Sequence, residues 1–245
     1  MELISCEEMK KIDSYAVDVL KIPSIILMEN AAQKVLKNID LEENNYFTIV
    51  CGRGNNAGDG LALARLLILA EKTVDLFILG DPHKLSGDAR LNLEILVQLD
   101  QDYELIQISR DLDLLKKSIL ASDLVLDAIL GIGLNRNVEG IFKSTIDLIN
   151  KYSRETLALD VPSGLNADTG QPMGTAIIAQ RTVTFHLVKQ GLMNNSSFQG
   201  NFSRMTCRNI KNYRLGSYAY TGQLILEDIG IPKKASDFVL KSRLS

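Results

Sequence analysis

From Asn45 onward, short apolar runs alternate with amphipathic segments, and this alternation constrains the fold more than any other feature of the 245-residue chain. The apolar runs have the length of buried strands, and the segments between them repeat apolar residues at helical spacing. The predicted strands are YFTIVCG, TVDLFILG, YELIQI, LVLDAILG, TLALDVPSG, RTVTFHL and QLILEDIGI, and the predicted helices span 59–71, 84–99, 111–120 and 139–151. Such alternation predicts an α/β fold with a mostly parallel sheet covered by helices on both faces.

A single domain, 1–245, accounts for the whole chain. Two helical patterns occupy residues 1–42, and the α/β core is predicted over 46–232. Residues 193–218 are rich in Asn, Ser, Arg and Tyr without periodicity, which predicts an exposed excursion before the last strand. Residues 233–245 form a C-terminal tail.

Charge and cysteine content argue against several classes of partner. The net charge is −3 and the 27 Lys and Arg form no long basic run, so nucleic acid is not an expected partner. Cys6, Cys51 and Cys207 lie far apart, which favours a reducing compartment. The N-terminus lacks the apolar stretch of a secretory signal and no run reaches membrane-spanning length, so we expect a cytoplasmic protein without a membrane partner. With only His83 and His186 present, a metal would be a hard cation bound by oxygens.

The first of three glycine-bearing turns is CGRGNNAGDG, at 51–60. Its spacing G-x-G-x-x-A, met by Gly52, Gly54 and Ala57, allows backbone N–H groups to approach a pyrophosphate. Asn55, Asn56 and Asp59 add amide and carboxylate groups that neither a simple turn nor a dinucleotide dehydrogenase needs. We interpret this turn as a site for a neutral polar ring, a cation, or both; a tight turn without a ligand is the alternative.

Two further turns follow later predicted strands. In DAILGIGLNRNVEG, 127–140, the loop amides, the next helix N-terminus and Arg136 suit a phosphate, although the glycines would also serve simple chain reversal. In DVPSGLNADTG, 160–170, Asp160 and Ser163 share a short arc, which would also suit a capping turn. Because the carboxyl ends of parallel strands share one edge of the sheet, we expect the three turns to share one crevice.

Oxygen-bearing side chains in these turns suggest both a cation site and an acid–base pair. Asn56, Asp127 and Ser163 would suit an alkali cation or Mg²⁺. Asp160 would then be free to act as an acid or a base. Asp59 in the same crevice would form a pair of carboxylates with it, and their pKa values could separate. The alternative is that either aspartate only caps a helix or a turn. Lys189 could reach a phosphate, but we interpret it as solvated, and both histidines as structural.

Six ordered blocks extend this pattern from about residue 5 to residue 232: EEMKKIDSYAV with IPSIILMEN, GRGNNAGDGLALAR, DAILGIGL, DVPSGLNADTG, TVTFHLVKQGL and YTGQLILEDIGIP. On these blocks the chain resembles the YjeF N-terminal domain family, the NAD(P)H-hydrate epimerases. The resemblance implies a Rossmann-like, doubly wound fold. It also implies interconversion of the R and S forms of NADHX and NADPHX, reduced nicotinamide cofactors damaged by hydration of the ring.

The resemblance also implies roles for individual residues. Substrate contacts would come from Asn55, Asn56, Ala57, Gly58, Asp59 and Asp160. The phosphate portion would lie on Gly131, Ile132, Gly133, Leu134, Asn135, Arg136 and Asn137. One potassium ion per subunit would be bound by Asn56, Asp127 and Ser163. We expect Asp160, with Asp59 second, to move the proton, and we expect a homodimer that works with an ATP- or ADP-dependent dehydratase.

Departures from the family pattern leave alternatives open. Ala57 replaces a glycine, which would cost about 1 kcal/mol if that position needs positive φ. Asn166 replaces an aspartate, and KQG at 189–191 stands where the family commonly has KPG. One alternative is an NAD-dependent oxidoreductase, for which Asp81 is the sole acidic residue near the end of the second strand. Another is a non-catalytic nucleotide-binding module.

Overall fold

A computed structural model describes residues 3–85, 87–193 and 213–241. Its main sheet has eight strands in the order β4-β3-β2-β5-β6-β7-β10-β9, of which the first seven are parallel and β9 runs antiparallel to β10. These strands are β2 Tyr46–Cys51, β3 Thr73–Leu79, β4 Glu104–Ile106, β5 Leu124–Ala128, β6 Thr156–Leu159, β7 Arg181–Phe185, β9 Tyr213–Tyr218 and β10 Gly222–Glu227. The Rossmann-like fold expected from the sequence is confirmed.

A second, two-stranded parallel sheet joins the N-terminus to the core, with β1 Leu3–Ile4 beside β8 Val188–Lys189. The helices are α1 Cys6–Ser14, α2 Ser24–Lys37, α3 Asn55–Leu69, α4 Gly87–Gln98, α5 Leu112–Ala121, α6 Gly140–Tyr152 and α7 Lys233–Lys241. A π-helical turn, Tyr15–Val19, continues α1, and Ser5 begins that helix with a capping box. Among the described residues, no helix is both long and apolar enough to cross a membrane.

The central strands are buried on both faces of the sheet. Every residue of β5 and β6 is buried. One apolar cluster contains Leu126 and residues of α2 and α3, while a second contains Val125 and residues of α5 and α6. Strands covered on both faces lack alternating polarity, which explains their nearly continuous apolar sequences.

Strand order reverses at the centre of the sheet. From β2 the chain builds outward through β3 and β4, then returns to place β5 on the other side of β2. In open α/β sheets, ligands bind outside the carboxyl ends of the strands at such a reversal. The turns after β2, β5 and β6 therefore meet where this fold class places its ligands.

Some element boundaries differ from the sequence predictions. Helix α3 begins at Asn55 rather than at residue 59, so the Asn- and Asp-bearing stretch forms the first helical turns. Ala57 is helical and is not among the residues with positive φ, so the expected strain is absent. The exposed excursion predicted at 193–218 is wrong at both ends: Met193 is buried, and 213–218 forms β9, while 194–212 lies outside the described residues. The predicted tail contains α7.

Candidate active site

A cavity of about 890 Å³ opens at the carboxyl edge of the sheet, where the three turns meet. Most of the predicted substrate contacts line it, namely Asn55, Asn56, Asp59, Asp160 and the six residues from Gly131 to Arg136. Three predicted contacts are not among its lining residues. Ala57 and Gly58 are buried in α3, and Asn137 is exposed beyond the loop. These three roles stay predictions.

The first two turns approach each other closely at Gly52. A Cβ atom on Gly52 would lie 1.9 Å from the Ile129 carbonyl oxygen, so only glycine fits there. The Gly52 N–H donates to the Ala128 carbonyl (3.0 Å), and the Asn56 amide donates to the Leu130 carbonyl (3.0 Å). This backbone approach holds the start of α3 against the loop after β5.

The predicted cation ligands Asn56, Asp127 and Ser163 form one buried cluster. Both the N–H and the hydroxyl of Ser163 donate to the Asp127 carboxylate, at 2.8 Å and 2.5 Å. The Leu130 N–H donates to the Ser163 hydroxyl (2.8 Å), and Asn56 donates to the carbonyl of the same leucine. Burial raises the pKa of Asp127 to about 6, against the opposing effect of these hydrogen bonds.

The donor set of this cluster fits a monovalent cation. The Asn56 side-chain oxygen is buried and has no hydrogen-bond partner among the described residues. An unpaired buried acceptor is costly unless a donor or a cation satisfies it. Asp127 supplies one negative charge and the remaining oxygens are neutral, which suits a weakly held alkali ion better than Mg²⁺.

Asp160 forms a buried ion pair that overturns the sequence interpretation of Lys189. The Lys189 ammonium lies 2.5 Å from Asp160 Oδ1, and the lysine side chain is 1% exposed. It also donates to the Thr184 hydroxyl and the Phe185 carbonyl. Lys189 is therefore not solvated, and Asp160 is not free of partners.

Backbone geometry at Asp160 is unusual. Its φ is +61°, in the left-handed region that non-glycine residues rarely adopt. The Asp160 N–H donates to the Val183 carbonyl (2.8 Å), and Oδ1 accepts from Lys189, Thr184 and the Phe185 N–H. Strained backbone of this kind persists where surrounding contacts over-determine it, and it clusters at functional sites.

Two further carboxylates line the cavity near the ion pair. Burial and the negative charge of Asp160 raise the pKa of Asp59 well above its usual range. Burial also raises the pKa of Asp13, to about 6, with Asp160 adding to the rise and Lys189 opposing it. Sequence reasoning missed Asp13, because a single aspartate in the polar helix EEMKKIDS carries no local signal of a cavity.

Residues named in the alternative interpretations have structural partners. Asp81 caps a short 3₁₀ turn by accepting from the His83 N–H (3.0 Å), as a turn-forming residue does. The His186 ring bonds the Ser236 hydroxyl of α7 (2.7 Å), and burial lowers its pKa to about 4. Asn166 accepts from the Asp168 and Thr169 N–H groups, so it shapes the third turn.

The doubly wound sheet defines a Rossmann-like α/β protein. Its polar, carboxylate-rich cavity lies where the strand order reverses, which is where this fold class binds ligands. The family model described as YjeF-related protein N-terminus matches residues 24–191 of this sequence. The chain belongs to that family.

Curated relatives match most of the chain. An NAD(P)H-hydrate epimerase of Anaerococcus prevotii is 39% identical over 98% of this chain and 100% of the relative. A bifunctional NAD(P)H-hydrate repair enzyme of Moorella thermoacetica is 38% identical over 96% of this chain, which spans 41% of that enzyme. The crystal structure of a yeast protein has the same fold, with a TM-score of 0.67, 20% identity, and coverage of 78% of this chain and 83% of that one.

Proposed function

We propose that this protein is an NAD(P)H-hydrate epimerase, an isomerase that interconverts the R and S forms of NADHX and NADPHX. The observation that carries the proposal is the Asp160–Lys189 ion pair in the same cavity as Asp59. The family membership and the names of the relatives support it.

The chemistry requires one proton donor and one proton acceptor around the hydroxyl-bearing ring carbon. A carboxylic acid protonates the departing hydroxyl, the C–O bond breaks, and water leaves while the nitrogen lone pair forms a C=N bond. Water then adds to the other face of the carbon, a carboxylate takes its proton, and the lone pair returns to nitrogen. The atoms and electrons balance without an oxidant or reductant, and positioned acid–base groups contribute about 10²–10⁴-fold in rate.

The two carboxylates that the sequence singled out divide these roles. Asp160, opposite the Lys189 ammonium, is the proton acceptor. Asp59, whose pKa is raised by burial and by Asp160, is the proton donor. Because burial and the charge of Asp160 favour the protonated form of Asp59, Asp59 suits the role of the acid and Asp160 that of the base.

We also propose that Asn56, Asp127 and Ser163 bind one potassium ion per subunit. The unsatisfied Asn56 oxygen and the single charge of Asp127 support this choice. When bound, the ion would supply a positive charge beside the substrate. The residues themselves fix the loop from Gly131 to Arg136, because Ser163 and Asn56 both bond Leu130 at its start.

The decisive experiment starts from pure R-NADHX and follows the appearance of the S form by chromatography. We expect rapid epimerisation with the wild-type protein, a loss of at least about 10²-fold with Asp160→Asn, and faster turnover in potassium than in sodium. Asn retains a hydrogen-bond acceptor for Lys189, so a matching thermal unfolding curve would show that this variant is folded. Retention and oxidation of intact NADH would instead favour the oxidoreductase, and binding without turnover would favour the non-catalytic module.

Three assignments outside the site complete the proposal. A cytoplasmic location is supported by the three scattered cysteines. A homodimer is expected from the resemblance alone and is tested by light scattering. Cooperation with an ATP- or ADP-dependent dehydratase is supported by the bifunctional relative, and added dehydratase should consume both epimers only when this protein is present.

A further inference from the structure

Asp13 lines the same cavity as Asp59 and Asp160 but lies on an element outside the main sheet. It lies in the last turn of α1, and Met9, Ser14 and Val17 of the same helical segment line the cavity beside it. The π-helical turn begins two residues later, with the Leu20 N–H bonded to the Tyr15 carbonyl (3.0 Å). Such turns inside helices are frequent at functional sites.

Three contacts fix α1 relative to the sheet-edge residues. Strand β1, directly before α1, pairs with β8 and places Ile4 opposite Lys189. The Cys6 N–H donates to the Asp168 carboxylate (2.7 Å) in the loop after β6. At the other end, the Tyr15 ring stacks on Phe238 of α7 with centroids 4.4 Å apart. The position of Asp13 is therefore held by contacts at both ends of its helix.

Asp13 is half-buried and has neither a hydrogen bond nor an ion pair among the described residues. A carboxylate that only stabilised α1 would cap the helix or pair with a nearby lysine, as Glu7 does with Lys11 at 2.6 Å. Asp13 does neither, and the attraction of Lys189 offsets only part of the hydration that its carboxylate loses on burial. A ligand in the cavity would give this carboxylate a hydrogen-bond partner.

We propose that Asp13 is a further catalytic residue, which exchanges a proton with the hydroxyl or water on the ring face turned towards α1. This inference rests on the proposed epimerase. Asp59 and Asp160, the donor and acceptor of the proposed mechanism, both belong to the sheet edge. Water leaves from one face of the ring and returns to the other, so Asp13, on a different element, would assist this pair by exchanging the proton on the face turned towards α1.

Other charged groups of the cavity determine how Asp13 titrates. The charged residues that line it are Lys10, Asp13, Asp18, Arg53, Asp59, Asp88, Arg136, Asp160 and Lys189. Burial raises the pKa of Asp13 to about 6, and among its neighbours Lys189 lowers this pKa while Asp160 raises it. A carboxyl group that titrates near pH 6 can donate or accept a proton close to neutrality, as a reversible epimerisation requires.

The test compares Asp13→Asn, Asp13→Glu and the control Asp113→Asn, which removes an exposed carboxylate of α5 that does not line the cavity. Rates of R-to-S and S-to-R conversion of NADHX are measured from pH 5 to pH 9. We expect Asp13→Asn to lower kcat about 10²-fold or more in both directions, with little change in KM. Asp13→Glu should recover part of the loss, and Asp113→Asn should keep the wild-type pH profile.

Folding is followed by thermal unfolding of each variant. Asp13→Asn should unfold no earlier than the wild type at pH 7, because it removes a partly desolvated charge; if it does not fold, Asp13→Ser takes its place. An unchanged kcat, a loss confined to KM, or an equal loss in Asp113→Asn overturns the role of Asp13. A wild-type protein without epimerase activity would instead overturn the proposed function, so the two failures are distinguishable.

Discussion

Lys189→Met tests whether the buried ion pair organises the site. The substitution keeps an apolar stem of similar length but removes an ammonium that is 1% exposed and donates to Asp160, Thr184 and the Phe185 carbonyl. Removing one partner of a buried pair costs about 3–5 kcal/mol. The Asp160 side chain is 14% exposed, so we expect the lower end of that range, about 3 kcal/mol.

The loss should depend on pH. Lys189 lowers the raised pKa values of Asp13 and Asp59, so its removal raises both further. A carboxyl group whose pKa is higher in the folded than in the unfolded state binds more protons when folded, and its stability contribution falls as pH rises. The difference from the wild type should therefore be larger at pH 8 than at pH 5.

Urea unfolding at both pH values measures this difference, and thermal unfolding should show a midpoint about 6–12 °C lower at pH 8. Lys233→Met is the matched control, since that lysine side chain is 72% exposed, and it should change little. The double variant Lys189→Met/Asp160→Asn should recover part of the loss, because no charge is left unpaired. A loss below about 1 kcal/mol that is equal at both pH values would refute the reasoning.

Three further predictions concern the cavity walls. Gly52→Ala should destabilise the fold by about 3 kcal/mol or more, because its Cβ would meet a backbone carbonyl at 1.9 Å; Gly54→Ala, with open space around it, is the urea-unfolding control. Asp127→Asn should abolish the faster turnover in potassium, and a potassium response equal to that of the wild type would contradict the cation assignment. Cys6 and Cys51 are buried with raised thiol pKa values, so mass spectrometry after alkylation of the native protein should find both unmodified until urea is added.

Local sequence patterns were sufficient to predict the seven parallel strands of the main sheet and the turns that follow β2, β5 and β6, but not the antiparallel strand β9. The apolar run of β5 and the polar Asp127 within it indicated a buried strand, and the glycines after β2 marked the close approach at Gly52. The predicted start of α3 was wrong, because residue types that usually occur in loops adopt a helical backbone there. Asn55 and Gly58 are typical of loops, yet both lie in the first turns of α3, where a Cβ on Gly58 would lie 2.4 Å from the end of the Met28 side chain, which would have to shift.

The ion pair and Asp13 could not be predicted, because both depend on contacts between distant segments. Lys189 and Asp160 are 29 residues apart, and Lys189 lies in β8, a strand of two residues that pairs with β1 in the described part of the chain. A strand that short gives no periodic signal. Asp13 depends on the same pairing, since β1 holds the helix that carries it.

A count of charges explains how one site can hold both an acid and a base near neutral pH. Among the charged residues of the cavity wall, three carboxylates, Asp13, Asp59 and Asp160, interact with one another and with one ammonium, Lys189. If all were ionised, the group would carry two uncompensated negative charges in a partly desolvated space, which electrostatics strongly disfavours. Lys189 compensates Asp160, the carboxylate it touches, and the remaining pair retains a proton at higher pH than free carboxyl groups do. On the proposed mechanism, these carboxylates would supply the proton for C–O cleavage where a neutral hydrated ring would bind, and no histidine among the described residues lines the cavity.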